Sequence, residues 1–370
     1  MKDLDNKKIK IVYLLPQLFG GGAERLVVDL AINLPKDQYI VTIVCLKSSS
    51  TPIWQDELIS AGIKLVQLNK KIKLDPTCLW RLVAWLKNNR PDILHTHLFG
   101  ADFYGRLAGR LVGISHIIST EHNINFSEGW LKRQFKTMTA PLAERVVAVS
   151  QTVLEYAQKY EGVSKKQGQV IYNGVPLDKF INYQTTNNSV QDTKQLIMVG
   201  SMGRLNKQKN WSVVIAAAQY LPDDIIVNIA GIGPQKKRLQ QMIDNLGVAK
   251  RVKLIGWQSN TVEFLKKLDI FVLPSFWEGL PVCLLEAGAS SLPVIVSDIA
   301  SNQEVIIDQE TGLLFDPNNS QELADKIILL ARQPQLAKQL AGQLNCLVKQ
   351  KFSFAQMLEN YQQLYCQLVN

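Results

Sequence analysis

What most constrains this chain is a rhythm that runs through it twice. Short runs rich in Val, Ile and Leu alternate with longer amphipathic segments. In the first pass, Ile9–Leu15, Tyr39–Leu46, Ile63–Leu68, Ile93–His95, His116–Ser119 and Arg145–Ser150 read as strands, and Ala23–Leu34, Trp54–Ala61, Cys78–Asn88 and Ala101–Leu111 as helices. Apolar runs without polar alternation are strands buried on both faces, and helices between them cover those faces, so the sheet is parallel. The pattern then restarts. Leu196–Gly200, Ile225–Ala230, Val252–Ile255, Ile270–Leu273 and Val294–Ser297 are the second set of strands. Asn210–Gln219, Gln235–Leu246, Thr261–Leu268, Cys283–Ala289 and Gln321–Arg332 are its helices. Residues 182–193, rich in Asn, Thr and Gln and without periodicity, read as a linker. The expected fold is α/β: two doubly wound parallel-sheet domains, 1–181 and 194–352. A length of 370 residues suits two domains. Such sheets bind ligands outside the carboxyl ends of their strands.

Charge divides unevenly along this frame. The first 180 residues carry 24 basic and 16 acidic side chains, and the remainder carries 17 and 16, so nearly all of the net +9 lies in the first half. A basic half suits an anionic bilayer, an acidic glycan or nucleic acid. No nucleic-acid-binding module accompanies the charge, and nucleic acid is not expected as a partner. The five cysteines are scattered without a Cys-x-x-Cys pair, which argues against a zinc site or disulfide framework and fits a reducing, cytoplasmic setting. The apolar run Ile11–Leu15 is cut by Pro16 and Gln17, unlike a secretory leader, and no run reaches the roughly 18 residues of a spanning helix.

Three stretches carry chemistry. Phe19-Gly20-Gly21-Gly22-Ala23-Glu24-Arg25 follows the first strand and opens a helix. Glycines there let backbone N–H groups approach a phosphate, and a helix N-terminus favours its charge. A plain tight turn is the alternative. The spacing is not Gly-x-Gly-x-x-Gly, and the second strand ends Val44-Cys45-Leu46-Lys47 without a ribose-binding acid, so a nicotinamide cofactor is not expected. Gly203-Arg204 with Lys209-Asn210 follows the first strand of the second series. Arg204 has the fork geometry to grip two phosphate oxygens, and Lys209 adds a point charge, although solvated loop cations are the ordinary alternative. Finally, Phe276-Trp277-Glu278-Gly279-Leu280-Pro281 leads into the helix that bears Glu286. Pro281 suits a helix start, and a carboxylate inside the apolar run Val282–Ala289 needs hydrogen-bond partners such as ribose hydroxyls, or else faces solvent.

Taken in order, these motifs resemble those of the family 4 glycosyltransferases, which are retaining, nucleotide-sugar-dependent enzymes of the GT-B fold with two Rossmann-like domains. Ile171-Tyr172-Asn173-Gly174-Val175 and the final segment Phe352–Leu368 match as well, so the resemblance covers essentially the whole chain. It implies that 353–370 crosses back to the first domain, which handles the acceptor, while the second binds the donor. It implies that Arg204 and Lys209, beside Gly203, hold the donor diphosphate and that Glu286 binds the ribose. Glu278 and the backbone of Gly279, Leu280 and Pro281 would bind the sugar, and Trp257 would lie near the base. Gly21 and Gly22 would approach the diphosphate from the first domain. His122 occupies the place of a histidine that contacts the donor sugar near the reacting carbon. The expected activity is transfer of a sugar from a UDP- or GDP-sugar to a glycan or lipid-linked acceptor in surface polysaccharide or glycolipid assembly. No cofactor is expected, and no metal: the lone Asp-x-Asp is Asp3-Leu4-Asp5 near the N-terminus, and cations would replace it. A related epimerase or phosphorylase, or a non-catalytic sugar-nucleotide-binding protein, is the alternative.

All four histidines lie in the first half. His97 ends a strand and is open to an acceptor-side role, as is Asn173, while His116 reads as structural. Trp130–Leu142 places Leu131, Phe135, Met138 and Leu142 at helical spacing among Lys132, Arg133 and Lys136. A core-packed helix with a solvated rim and a basic helix lying on an anionic bilayer both fit that pattern.

Overall fold

In a computed structural model, which describes residues 8–50, 52–124, 129–180 and 196–369, the chain forms two compact units. The linker expected at 182–193 and Asp3-Leu4-Asp5 lie outside the described residues.

The first unit comprises residues 1–173 and 357–370. Its elements run β1 (Ile9–Leu15), α1 (Gly22–Asn33), β2 (Tyr39–Cys45), α2 (Gln55–Ser60), β3 (Lys64–Gln67), α3 (Pro76–Asn89), β4 (Ile93–His97), α4 (Phe99–Val112), β5 (His116–Glu121), α5 (Trp130–Thr139), β6 (Arg145–Ala148), α6 (Gln151–Tyr160) and β7 (Gly168–Val170). The strands form one parallel sheet in the order β3-β2-β1-β4-β5-β6-β7. Every residue of β4 is buried, and so are the last five of β1, as expected for strands covered on both faces. Helix α4 lies tight against the sheet because it carries glycine where it crosses: a Cβ at Gly105 would run into Thr96 and Leu14. The connections reverse direction between β1 and β4, and the carboxyl ends of those two strands border the crevice where such sheets take ligands.

The second unit, residues 174–356, contains β8 (Ile197–Met202), α7 (Trp211–Ala217), β9 (Ile225–Ala230), α8 (Lys236–Asn245), β10 (Val252–Gly256), α9 (Thr261–Leu265), β11 (Ile270–Leu273), α10 (Val282–Ala289), β12 (Val294–Ser297), α11 (Ala300–Gln303), β13 (Leu313–Phe315), α12 (Ser320–Arg332) and α13 (Pro334–Lys351). Its parallel sheet runs β10-β9-β8-β11-β12-β13, and the reversal falls between β8 and β11. The last helix, α14 (Phe354–Val369), belongs from Met357 onward to the first unit.

Residues 174–180, grouped with the first domain by sequence, pack with the second. Val175 pairs with Ser353 and exchanges backbone bonds with Phe352 and Phe354 at 2.9 Å each. Gly174 sits so close to Ser353 and Phe354 that no side chain would fit. The sequence reading also missed α6, α13, β7 and β13. The two strands are three residues each, too short for a hydrophobic pattern to declare itself.

Candidate active site

In the second unit, two loops meet at the sheet's reversal. One follows β8, where Gly203 (φ +155°) and Asn210 (φ +48°) turn the chain toward α7. The other follows β11 and carries Glu278 to the start of α10. Between them stands a buried ion pair: Lys209 Nζ lies 2.5 Å from Glu278 Oε1, with side chains 14% and 7% exposed. The carboxylate also accepts from Ser275 Oγ at 2.5 Å and from Gln208 Nε2 at 3.4 Å. Gln208 ties the loops further through Trp277 O (2.9 Å) and through Phe276 N, which donates to Gln208 O at 2.8 Å. Burial works against the charge on Lys209, but Glu278 outweighs it and holds the ammonium above the ordinary lysine range. The lysine stem runs beneath Gly203, where a Cβ would come within 3.0 Å of Lys209 Cε.

Arg204 is arranged differently from Lys209. Its side chain is exposed and makes no hydrogen bond or ion pair among the described residues, while its carbonyl accepts from Trp211 Nε1 at 3.0 Å. An exposed, unengaged guanidinium and a largely buried ammonium on one loop are two cations able to meet a diphosphate. Glu286 is half-buried on α10, between the enclosed and solvent-facing extremes, with Thr261 Oγ1 3.5 Å from its Oε1. Pro281 caps α10 rather than entering its first turn, and Gly279 and Leu280 are buried beside it. Trp257, just past β10, is 56% exposed.

In the first unit, the loop after β1 is more occupied than its sequence suggests. Glu24 Oε2 accepts from the backbone N–H groups of Phe19 (2.6 Å), Gly20 (2.9 Å) and Gly21 (3.1 Å). Part of the glycine nest expected to greet a phosphate, including the Gly21 N–H, thus already holds a carboxylate. Gly22 stays open, with nothing within 4 Å of a Cβ placed there. Arg25 is committed within the unit to Asp29 and Glu57.

The ends of β4 and β5 bring three histidines together. His97 Nδ1 lies 3.0 Å from His122 Nε2, and the His95 and His97 rings are 4.2 Å apart. His95 is held at both nitrogens, by Tyr365 Oη of α14 (2.8 Å) and by Thr120 Oγ1 (2.7 Å). Burial, reinforced by the other rings, lowers His95 to about 3 and His97 well below the ordinary histidine range. Burial likewise lowers His122 to about 4 against a small opposing pull from Glu121, so all three are neutral near pH 7. His97, open to an acceptor-side role by sequence, is fully buried behind His122. Asn173 is also buried, at 5% exposure. His116 stays apart, paired with Glu144 at 2.8 Å.

Behind the histidines lies an ion network that sequence reading did not find. Lys136 Nζ bridges Glu121 (3.2 Å) and Glu161 (2.7 Å), and Arg106 lies 3.6 Å from Glu121. Burial, reinforced by repulsion from Glu121, raises the Asp102 carboxyl to about 7. This corrects the reading of α5. Lys136 is a buried structural cation, whereas Leu131 (65%) and Met138 (72%), placed at core spacing by sequence, face outward with Trp130 (69%). Lys132 sits over the Phe99 ring and Arg133 over Tyr160. Among the described residues, no cluster of His, Cys, Asp or Glu has the makings of a metal site, and no helix is long and apolar enough to cross a membrane.

Comparison with known proteins agrees with this layout. Residues 20–179 match the family model Glycosyltransferase Family 4, and residues 184–343 match Glycosyl transferases group 1. The chain is 30% identical over 347 residues to the Escherichia coli UDP-Gal:alpha-D-GlcNAc-diphosphoundecaprenol alpha-1,3-galactosyltransferase, covering 89% of each chain. It is 23% identical to a Campylobacter jejuni N-acetylgalactosamine-N,N'-diacetylbacillosaminyl-diphospho-undecaprenol 4-alpha-N-acetylgalactosaminyltransferase, over 89% of this chain and 92% of that one. The fold is that of Anabaena HepE, solved in complex with UDP and glucose, at a TM-score of 0.86, with 18% identity and coverage of 97% and 100% of the two chains. Two doubly wound units, a Lys–Glu pair at the reversal of the second sheet and a relative of this identity along nearly the whole length lead to one assignment: the chain belongs to glycosyltransferase family 4 and is a glycosyltransferase of the GT-B fold.

Proposed function

We propose that the enzyme transfers a sugar from a UDP-sugar to a lipid-linked saccharide, with retention of configuration, in surface polysaccharide assembly. The observation that carries this reading is the buried Lys209–Glu278 pair, with exposed Arg204 on the same loop as Lys209, in a chain similar to a UDP-galactose-using enzyme that acts on a diphosphoundecaprenol-linked acceptor. Arg204 and Lys209 neutralise the diphosphate as it leaves, a preorganised electrostatic role that needs no divalent cation. Glu278, anchored by Ser275 and Lys209, directs its remaining acceptor capacity and the Gly279–Pro281 backbone to sugar hydroxyls. Glu286 takes the ribose, Trp257 the base, and the open N–H of Gly22 an oxygen of the diphosphate. His122 is assigned a contact with the sugar, and Asn173 one with the acceptor. Helix α5, with Trp130, Leu131 and Met138 outward, rests on the leaflet that carries the acceptor, in keeping with a peripheral, cytoplasmic enzyme.

The test is a panel of UDP- and GDP-sugars with undecaprenyl-diphosphate saccharides as acceptors, run with EDTA throughout and read by release of the nucleotide diphosphate and by the product's anomeric NMR signal. Transfer from a UDP-sugar to an α-linked product in EDTA is expected. Failure to transfer or hydrolyse any donor overturns the reading, and activity that appears only on adding Mg²⁺ or Mn²⁺ overturns its metal-independent part.

A further inference from the structure

We infer that His97 is a positioning residue that fixes which ring nitrogen of His122 carries the proton, so that His122 meets its ligand as a hydrogen-bond donor through Nδ1. This rests on the proposed contact between His122 and a sugar, and it adds the chemical sense of that contact.

The geometry leaves His122 one free nitrogen. Its Nε2 is engaged by His97 Nδ1 at 3.0 Å. Its Nδ1 makes no hydrogen bond among the described residues, and the ring is only half-buried, so Nδ1 is the atom left for a ligand. The proton between the rings has two arrangements. If His97 accepts, its own proton sits on Nε2. If His97 donates, Nε2 is a bare lone pair. That nitrogen is fully enclosed and has no partner among the described residues. A buried N–H without an acceptor is rarer and costlier than an acceptor left without a donor. The arrangement with a bare Nε2 therefore prevails, and His97 donates from Nδ1. His122 must then accept at Nε2 and carry its own proton on Nδ1.

The neighbours of His97 keep it from turning. Its ring stacks on His95, which Tyr365 and Thr120 hold at both nitrogens, and it lies 5.7 Å from the Tyr13 ring. Tyr13 Oη is itself bonded to Tyr365 Oη at 2.9 Å. The residue after His97, Leu98, has φ +71° and ψ 145°, a conformation that side chains rarely adopt and that persists only where surroundings over-determine it. A donor N–H on His122 suits a hydroxyl oxygen of a sugar. It does not suit proton abstraction, because the nitrogen that would act as base is already taken.

The chain has four histidines, so protein labelled with 15N-histidine gives four ring spin systems, assigned with His116→Gln and His122→Gln. Two-bond 1H–15N correlations at pH 7 are expected to show both His97 and His122 protonated on Nδ1 and bare on Nε2. A His122 proton on Nε2, or on both nitrogens, overturns the inference. In the assay above, His97→Phe keeps the ring shape and removes the donor. It is expected to lower kcat about tenfold or more with little change in donor KM, and to release His122 to a tautomer mixture. His97→Asn, which returns an N–H near the lost one, recovers most of kcat. Equal losses in both variants, with the His122 tautomer unchanged, mean that His97 only fills space. If the tautomers are as stated but His122→Gln transfers at the wild-type rate, the sugar contact falls while the role of His97 toward His122 stands.

Discussion

The two sheets reverse direction in the same manner, between β1 and β4 and between β8 and β11, yet the candidate residues at their strand ends handle charge in opposite ways. In the second unit a full ion pair, Lys209–Glu278, stands at the reversal itself. In the first, three neutral histidines cluster at the ends of β4 and β5, and Glu121, the last residue of β5, is paired with Arg106 and Lys136 in a network that also holds Asp102 and Glu161. A buried ammonium is suited to a diphosphate, whose charge grows as it leaves. Neutral rings locked in orientation are suited to hydroxyls, where direction matters more than charge. On the proposed function, one fold supplies an electrostatic site in one unit and a directional one in the other.

The largest effects come from breaking the two lysine pairings. Lys209→Met strands Glu278, and Lys136→Met leaves Glu121 and Glu161 facing each other. Removing one partner of a buried pair costs about 3–5 kcal/mol, so each variant should melt earlier, with hydrogen exchange rising first in its own unit. Turnover separates them. Lys209→Met should lose about a hundredfold or more in kcat/KM for the donor, because the cation proposed to meet the leaving group is gone. Lys136→Met, assayed below its melting temperature, should stay within about threefold of wild type. If Lys136→Met abolishes turnover while the fold is intact, the network in the first unit is not merely structural and the contrast between the units dissolves.

Acid should distinguish the units next. His95 and His122 fall from an ordinary 6.5 to about 3 and about 4, and His97 falls further in the same direction. The unfolded chain therefore binds protons below pH 6.5 that the folded first unit refuses. Stability is fully present above 6.5 and is lost as the pH drops toward 4, by up to about 1.4 kcal/mol per pH unit for each group at its steepest. Asp102 acts the other way: its carboxyl, raised to about 7, holds a proton in the folded state that the unfolded chain releases above about 4. Three histidines outweigh one aspartate, so the net slope is loss with acid. Thermal melts from pH 7 to 4.5 should show the first unit unfolding earlier with each step, and Asp102→Asn should steepen the decline. A flat profile would mean that the histidines titrate normally.

How well each unit could be read from sequence follows from the same contrast. The stretches that bear Gly203, Arg204, Lys209, Glu278 and Glu286 stand out in the sequence because each is a short spacing along one loop, and the structure joins two of these residues, Lys209 and Glu278. In the first unit, no motif marks the partners. His95 meets Tyr365 across 270 positions, and Lys136 meets Glu121 and Glu161 from three different elements. No periodicity records such pairings. Helix α5 shows the limit most plainly. Its helical spacing was legible over Trp130–Thr139, but spacing cannot say which face turns inward, and the buried face is the one that brings Lys136 to two carboxylates. Glu24 was hidden for a related reason: a glycine-rich turn implies backbone donors but not the acceptor already seated on three of them.

The smallest expected effect concerns the outward face of α5. Its two remaining cations are partly engaged, Lys132 over Phe99 at 4.6 Å and Arg133 over Tyr160 at 5.4 Å, so neither is wholly free for lipid headgroups. Trp130 and Leu131, 69% and 65% exposed, have no such competing partner among the described residues and are the better anchors. Replacing both with Ser should weaken sedimentation with liposomes containing phosphatidylglycerol by about tenfold, while Lys132→Gln with Arg133→Gln should weaken it by about threefold. Transfer to a short, water-soluble acceptor should be untouched in both, because neither pair belongs to the proposed donor or sugar contacts. If the charge variant proves the more damaging, attraction is electrostatic and the first half's +8 is its source. If neither changes sedimentation, the basic excess of the first unit serves an acidic glycan rather than a bilayer, and the division of charge between the units has a different meaning.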